Sequence, residues 1–407
     1  MKKIRPFTCF LFVVTVAFLI FSPAIIKAGL DTDAAARKKE SFKGILTLWQ
    51  INGWQGGGAS ISSCLKKCVK DFENKNVYVF IETAVLTPAK AAEKIAAGEK
   101  PDLVSFPAGF FDGPSLLTPL DGTNMPNTPL KASALFEGKY YALPFLVDPY
   151  MLYINEELLM EKEVEAESLR KLSPELLFRT AETLSFEKKE GKKQRQIHGI
   201  ALQSEYNASP FAALAFFNQS PAPENTAGSA ETAAGEDAIA SAQQGAYKIR
   251  AAMENGLSLF TDKQAGFLIA SAGADAALKT SKKTPPAYEK RPLFHYSDIV
   301  QYMGAVETKD RLRAEMCRKF IYSLYSEKNT IRLAQTGAMP VVYDDTLFMD
   351  DMPMKEAYTA LLQNGVFPNA FTYGAMRESL KTLGPEAAAG KKDALENIRR
   401  MLLNKLY

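Results

Sequence analysis

The residues with the clearest chemical bias are Trp49 and Trp54, the two tryptophans of a 407-residue chain. They lie in "LWQINGWQGGG" (48–58), beside Gln50, Asn52 and Gln55 and ahead of Gly56, Gly57 and Gly58. Indoles among amides suit a polar ligand that also has apolar faces: C–H surfaces pack on the ring, and hydroxyls are oriented by amides and carboxylates. Trp49 ends a predicted strand, so core packing is its rival role; Trp54, set among polar residues and glycines, is the better ligand candidate. Phe106, Tyr150 and Tyr206 also fall at or near predicted strand ends, with packing as the alternative for each, and Asn52 and Asn207 add amides.

Other chemistries lack their parts. The sequence has no Gly-x-Ser-x-Gly elbow for a serine nucleophile and no His-Glu-x-x-His metal helix, and "GWQGGGAS" lacks the Lys-Ser/Thr of a phosphate loop. His198 and His295 are the only histidines, and a satisfied or surface role is the plain reading of each. Cys64 and Cys68 lie four apart on one face of a predicted helix, a poor arrangement for a disulfide. With Cys317 they read as buried structural residues; a metal or redox role and an unseen disulfide are the alternatives. The expectation is a protein without catalytic residues, metal or cofactor.

The elements that must position these residues alternate. Strands are predicted at 45–49, 77–82 and 102–106, with helices at 60–73 and 88–98 between them, the pattern of a parallel sheet. "YYALPFLVDPYMLYINEELL" (140–159) reads as a crossing between two bodies, because Pro144 and Pro149 interrupt pairing. Charged helical sequence is predicted to about Arg195, then a strand at 197–203, a buried helix at 210–219 and a surface loop leading into a helix over 221–244. A second joint is read at 282–292, and amphipathic helices at 314–337 and 393–407. There is no internal repeat.

The first 28 residues have the three parts of an export leader. Lys2, Lys3 and Arg5 precede the apolar stretch Phe7–Phe21, and Ser22-Pro23 break it ahead of Ala28. Cleavage after Ala28 is expected, with retention as an anchor the alternative; Cys9 sits too early to carry a lipid. The 49 Lys and Arg nearly balance 46 Asp and Glu, and the leader holds four of the basic residues and no acids. The remainder is close to neutral, which argues against a nucleic-acid partner, and it is long enough for two domains.

Taken in order, "ILTLWQINGW", "AAGEKPDLVSF", "LLTPLDG", "EGKYYALPFLVDPYMLYINEELL", "HGIALQSEY" and "CRKFIYSLYSEKNTIRLAQTGAMPV" resemble the extracellular solute-binding proteins of carbohydrate ABC importers, the group that includes the maltose-binding protein. The resemblance implies an α/β, two-lobed periplasmic-binding-protein fold of class II, with parallel-sheet lobes joined by crossing strands. The N-terminal lobe would take 29–145 and about 293–342, the C-terminal lobe 146–292 and about 343–407. It implies Trp54 and Gln55 on the loop that touches sugar, Phe106 as the aromatic after "PDLV", Asp148 as a hinge-side acid accepting sugar hydroxyls, and Tyr206 as the aromatic of "LQSEY"; capping of a turn is the rival role of Asp148. Where many relatives carry a tryptophan floor, "QAGFLIASAGADAAL" (264–278) has no tryptophan and is rich in Ala, Gly, Ser and Asp. The implied function is capture of a small polar solute, a mono- or oligosaccharide, by an exported monomer that passes it to permease subunits in the membrane. A sensor feeding a receptor and a glycan-active hydrolase are the alternatives.

Overall fold

The computed structural model describes residues 42–165, 174–191, 193–203, 212–213, 251–252, 255–293, 295–388 and 393–404. The chain divides into two units, Met1–Phe42 and Lys43–Tyr407, and every element below lies in the second. The expected leader, the helix at 210–219 apart from 212–213, and the loop at 221–244 lie outside the described residues.

The first strand, β1 (Gly44–Ile51), leads into α1 (Ile61–Lys75), which starts where the Ser60 side chain accepts from the Ser63 N–H. Ile61, Cys64, Leu65, Cys68, Val69 and Phe72 recur at helical spacing and form its buried stripe. After β2 (Val79–Leu86), Thr87 caps α2 (Pro88–Ala96), whose Pro88 occupies the first turn where no N–H is needed, and β3 (Leu103–Pro107) follows. β1 pairs in parallel with both β2 and β3, as the alternating pattern predicts.

α3 (Leu130–Ser133) and the short hairpin β4 (Leu135–Phe136) and β5 (Lys139–Tyr140) precede β6 (Leu143–Val147). The chain leaves the first sheet at Asp148–Pro149 and enters the second as β7 (Tyr150–Asn155). Only the second of the two prolines breaks the pairing. Pro144 lies inside β6, next to a register shift opposite Gln301 and Tyr302, where a missing N–H is tolerated.

The charged stretch expected to be helical contains α4 (Glu156–Glu161) and α5 (Pro174–Thr183) but ends in a hairpin, β8 (Glu187–Glu190) and β9 (Lys193–Gln196). Gly191, at φ +62°, makes the left-handed turn between them, a conformation glycine adopts without penalty. β10 (His198–Leu202), β11 (Ala251–Ala252), α6 (Gly256–Thr261), β12 (Ala265–Ser271), α7 (Ala274–Lys279) and β13 (Tyr288–Pro292) complete the second body. Its sheet runs β11-β10-β12-β7-β13. The joint read at 282–292 therefore starts later, because its second half is a strand paired with β7.

From β13 the chain crosses back into β14 (Val300–Ala305), then α8 (Arg311–Ser323), α9 (Glu327–Ala334) and β15 (Met339–Pro340), giving a first sheet of order β15-β6-β14-β3-β1-β2. The single helix expected at 314–337 is two, interrupted ahead of Ser326, the N-cap of α9. α10 (Met352–Asn364), α11 (Tyr373–Ala388) and α12 (Ala394–Asn404) end the described chain.

Both sheets are mixed, not parallel throughout. Each has a parallel trio, β2-β1-β3 and β11-β10-β12, flanked by antiparallel strands. The cause is the crossings: a strand that enters from the other body starts at the end where the trio's strands finish, so it must run the opposite way. The C-terminal segment, expected with the second lobe, touches both bodies. α10 does pack on β13, but 369–374 returns to the first: Gly109 N–H donates to Ala370 O at 2.9 Å, and the Phe371 ring meets Phe106, Phe136 and Tyr141.

Candidate ligand-binding cleft

Three segments join the bodies. In the first, the Asp148 N–H donates to Ile299 O at 2.9 Å, and the Ser297 hydroxyl donates to Asp148 O at 2.6 Å. The second runs from Leu293 to Ile299, and Val366 of the third pairs beside Tyr296. At their centre is Asp298, fully buried, which accepts from the hydroxyls of Tyr150, at 2.9 Å, and Tyr373. Loss of water pushes its carboxyl up to about 7, against the pull of the tyrosine hydroxyls toward the ionised form.

Where β1 and β3 finish, three polar side chains occupy a buried position. Gln50, Ser105 and Gln301 have no exposed surface. The Gln301 Nε2 donates to Ser105 Oγ at 2.9 Å and to Ile51 O at 3.2 Å; the Gln50 Nε2 reaches Asn52 Oδ1 at 3.3 Å. Among the described residues, the Oε1 atoms of Gln50 and Gln301 accept no hydrogen bond and the Trp54 Nε1–H donates none, although its side chain is only 3% exposed. Buried polar atoms are rarely left so. Two free acceptors and one free donor thus lie at or just after the carboxyl end of β1 and the adjoining start of β14, the position at which open α/β sheets bind ligands.

The loop after β1 is held to its own lobe by Gly58 N–H to Thr336 O and Ala59 N–H to Gln335 O, both at 2.8 Å. A side chain at Gly56 or Gly58 would strike that backbone, with a Cβ 2.1 Å from Thr336 O or 2.3 Å from Gln335 O. Gly57 faces the other way: a Cβ there would lie 3.0 Å from the Ala276 Cβ and 3.4 Å from the Gly273 Cα, both on the second lobe.

The residues singled out in the sequence divide accordingly. Asn52, Trp54 and Gln55 are on the loop facing the second lobe, with Gln55 exposed. Trp49 lies behind them, 8% exposed, with the Lys94 ammonium of α2 over its ring at 5.7 Å. Phe106 is a core residue: its ring meets Phe111 edge-on at 4.8 Å and stacks on Tyr302 at 5.8 Å, leaving no face for a ligand. Tyr150 is spent on Asp298 and on stacking with Tyr296. Asp148 is buried in the first crossing, where its backbone ties two crossings together. Tyr206 and Asn207 lie outside the described residues. Gln50 and Gln301 join the candidates from their unpaired Oε1 atoms; for Gln50 the signal in the sequence is a glutamine inside the apolar run "LTLWQI".

Cys64, Cys68 and Cys317 are free and buried, and burial holds the thiols of Cys68 and Cys317 up at about 12, so none is poised to react. Among the described residues no cluster of His, Cys, Asp and Glu is arranged for a metal ion, and no helix is long and apolar enough to cross a membrane.

No protein-family model matches the chain, and no curated protein sequence does. Solved structures do. A cyclic α-maltosyl-1,6-maltose binding protein from Arthrobacter globiformis is similar with a TM-score of 0.61 at 14% identity, over 90% of this chain and 99% of that one. The GacH receptor of Streptomyces glaucescens, solved unliganded and with acarbose, is similar at 0.56 and 17% identity, over 89% and 99%. The maltose/maltodextrin-binding domain MalE from Bdellovibrio bacteriovorus, bound to maltotriose, gives 0.52 and 15%, over 89% and 99%. The likeness is one of fold: a two-lobed α/β architecture. Over about nine tenths of its length this chain shares that architecture with these proteins.

Proposed function

We propose that this chain is an extracellular solute receptor that captures a short saccharide between its lobes and hands it to the membrane permease of an ABC importer, without chemical turnover. The observation that carries the reading is the buried, unpaired trio of Gln50 Oε1, Gln301 Oε1 and Trp54 Nε1–H, located where the fold class holds its ligands. Hydroxyls both donate and accept, so one sugar satisfies both kinds of orphan group, whereas a purely anionic or purely cationic ligand satisfies one. The near-neutral charge outside the leader and the sugar-binding proteins among the structural neighbours support the same class of ligand. Asn52, Trp54 and Gln55 are the contacts assigned to the first lobe, with Tyr206 and Asn207 proposed from the second.

The mechanism is a shift between open and closed lobes, with contacts made on both sides favouring closure. A thermal-shift screen of the purified chain against maltose, maltotriose, amino acids, peptides and polyamines tests it. A dose-dependent rise in Tm with a saccharide is expected from mass action. A rise confined to amino acids, peptides or polyamines would reassign the ligand.

A further inference from the structure

The three consecutive glycines of the loop after β1 have two jobs. Gly56 and Gly58 allow the loop to lie on the Gln335–Thr336 backbone, and Gly57 presents bare backbone to the opposite lobe. The opposing surface is equally bare: a Cβ at Gly273 would lie 3.0 Å from Gln55 O and 3.2 Å from Gly56 C and Gly57 N. Backbone meets backbone across the cleft, three residues beyond Trp54. A sugar ring held between two walls needs about 7 Å between wall atoms, two carbon contacts of about 3.5 Å each. The gap between Gly57 and Gly273–Ala276 is far below that.

We propose that the Gly56–Gly58 loop and the Gly273–Ala276 turn form a length gate, which ends the ligand cleft just past Trp54 and restricts it to short saccharides. The inference rests on the saccharide-receptor reading above and names the ligand class within it. Two observations carry it together: the direct contact, and the unpaired Trp54 indole N–H, buried on the same loop ahead of the gate. A chain that continued past Trp54 would have to separate the lobes at this point, and so would lose the closed state that its binding stabilises.

Calorimetry of the intact protein with glucose, maltose, maltotriose and maltohexaose tests the gate. The expected result is binding of glucose or maltose, with maltohexaose weaker by about tenfold or more, a difference of about 1.4 kcal/mol. Affinity that stays level or rises with chain length overturns the gate and leaves the receptor reading intact. Absence of binding to every saccharide overturns the receptor reading and the gate with it. A second variant addresses the contact directly. Gly57→Ala puts a methyl group 3.0 Å from the Ala276 Cβ, so the lobes must part by a few tenths of an ångström to close. Affinity for the short sugar should fall about three- to tenfold with Tm unchanged in the absence of ligand. An unaltered affinity means that Gly57 and Ala276 do not meet in the bound state, and the gate is wrong.

Discussion

At the scale of single residues, the structure separates two aromatic side chains that look alike in sequence. Trp54 follows a predicted strand and Phe106 ends one, but Phe106 has its partners at Phe111, Tyr302 and Phe371, the last two about 200 residues or more along the chain, which spacing does not reveal. Trp54 keeps an unpaired N–H. Alanine substitutions should therefore differ in what they reach. Trp54→Ala is expected to weaken saccharide binding by about 1–3 kcal/mol, as for a lost aromatic anchor, in addition to the stability lost with a side chain only 3% exposed. Phe106→Ala should lower stability by about 3–5 kcal/mol through the cavity it leaves, seen in urea unfolding of the ligand-free chain. Trp54 was legible because its neighbours are polar and glycine-rich; Gln50 was legible in principle as the one amide in an apolar strand; Gln301 and Asp298 were not, since their meaning comes from Ser105, Tyr150 and Tyr373, all distant in sequence.

Among the elements, the three crossings matter most, and they make the molecule sensitive to pH. Asp298 is pushed from its ordinary 3.8 to about 7 by burial, so the folded state holds its proton over a range in which the unfolded chain has released it. Stability is then full below about pH 4, falls as pH rises, and levels off above about pH 7, with a span of about 4 kcal/mol for this one group. Asp298→Asn removes the ionisation and keeps the size. Urea midpoints from pH 4.5 to 8 should slope downward in the native protein and flatten in the variant, which becomes the more stable of the two at pH 8; parallel slopes would exclude Asp298 as the source. The strand-helix alternation over 44–107 was readable because each element there is local and its helices are capped, at Ser60 and Thr87. The β8–β9 hairpin was not readable, because Lys and Glu fit an exposed strand as well as an exposed helix, and Gly191 alone marks the difference.

For the molecule as a whole, the C-terminal segment is a strap. It leaves the second lobe after α10, pairs at Val366 beside Tyr296 and inserts Phe371 and Tyr373 into the first lobe and the crossings. Removing residues 366–407 is expected to expose Phe106 and leave Asp298 without its Tyr373 partner, giving an insoluble chain or a loss of cooperative melting. Removing 393–407 should be tolerated far better, and a calorimetric scan of both truncations distinguishes them. The strand orders have a further consequence for how such a chain matures. All five strands of the second sheet come from the continuous run 150–292, but the first gathers strands from positions 44 through 340. On a ribosome the earlier-numbered body must therefore wait for almost the whole polypeptide to emerge, and closing loops of that length slows its completion.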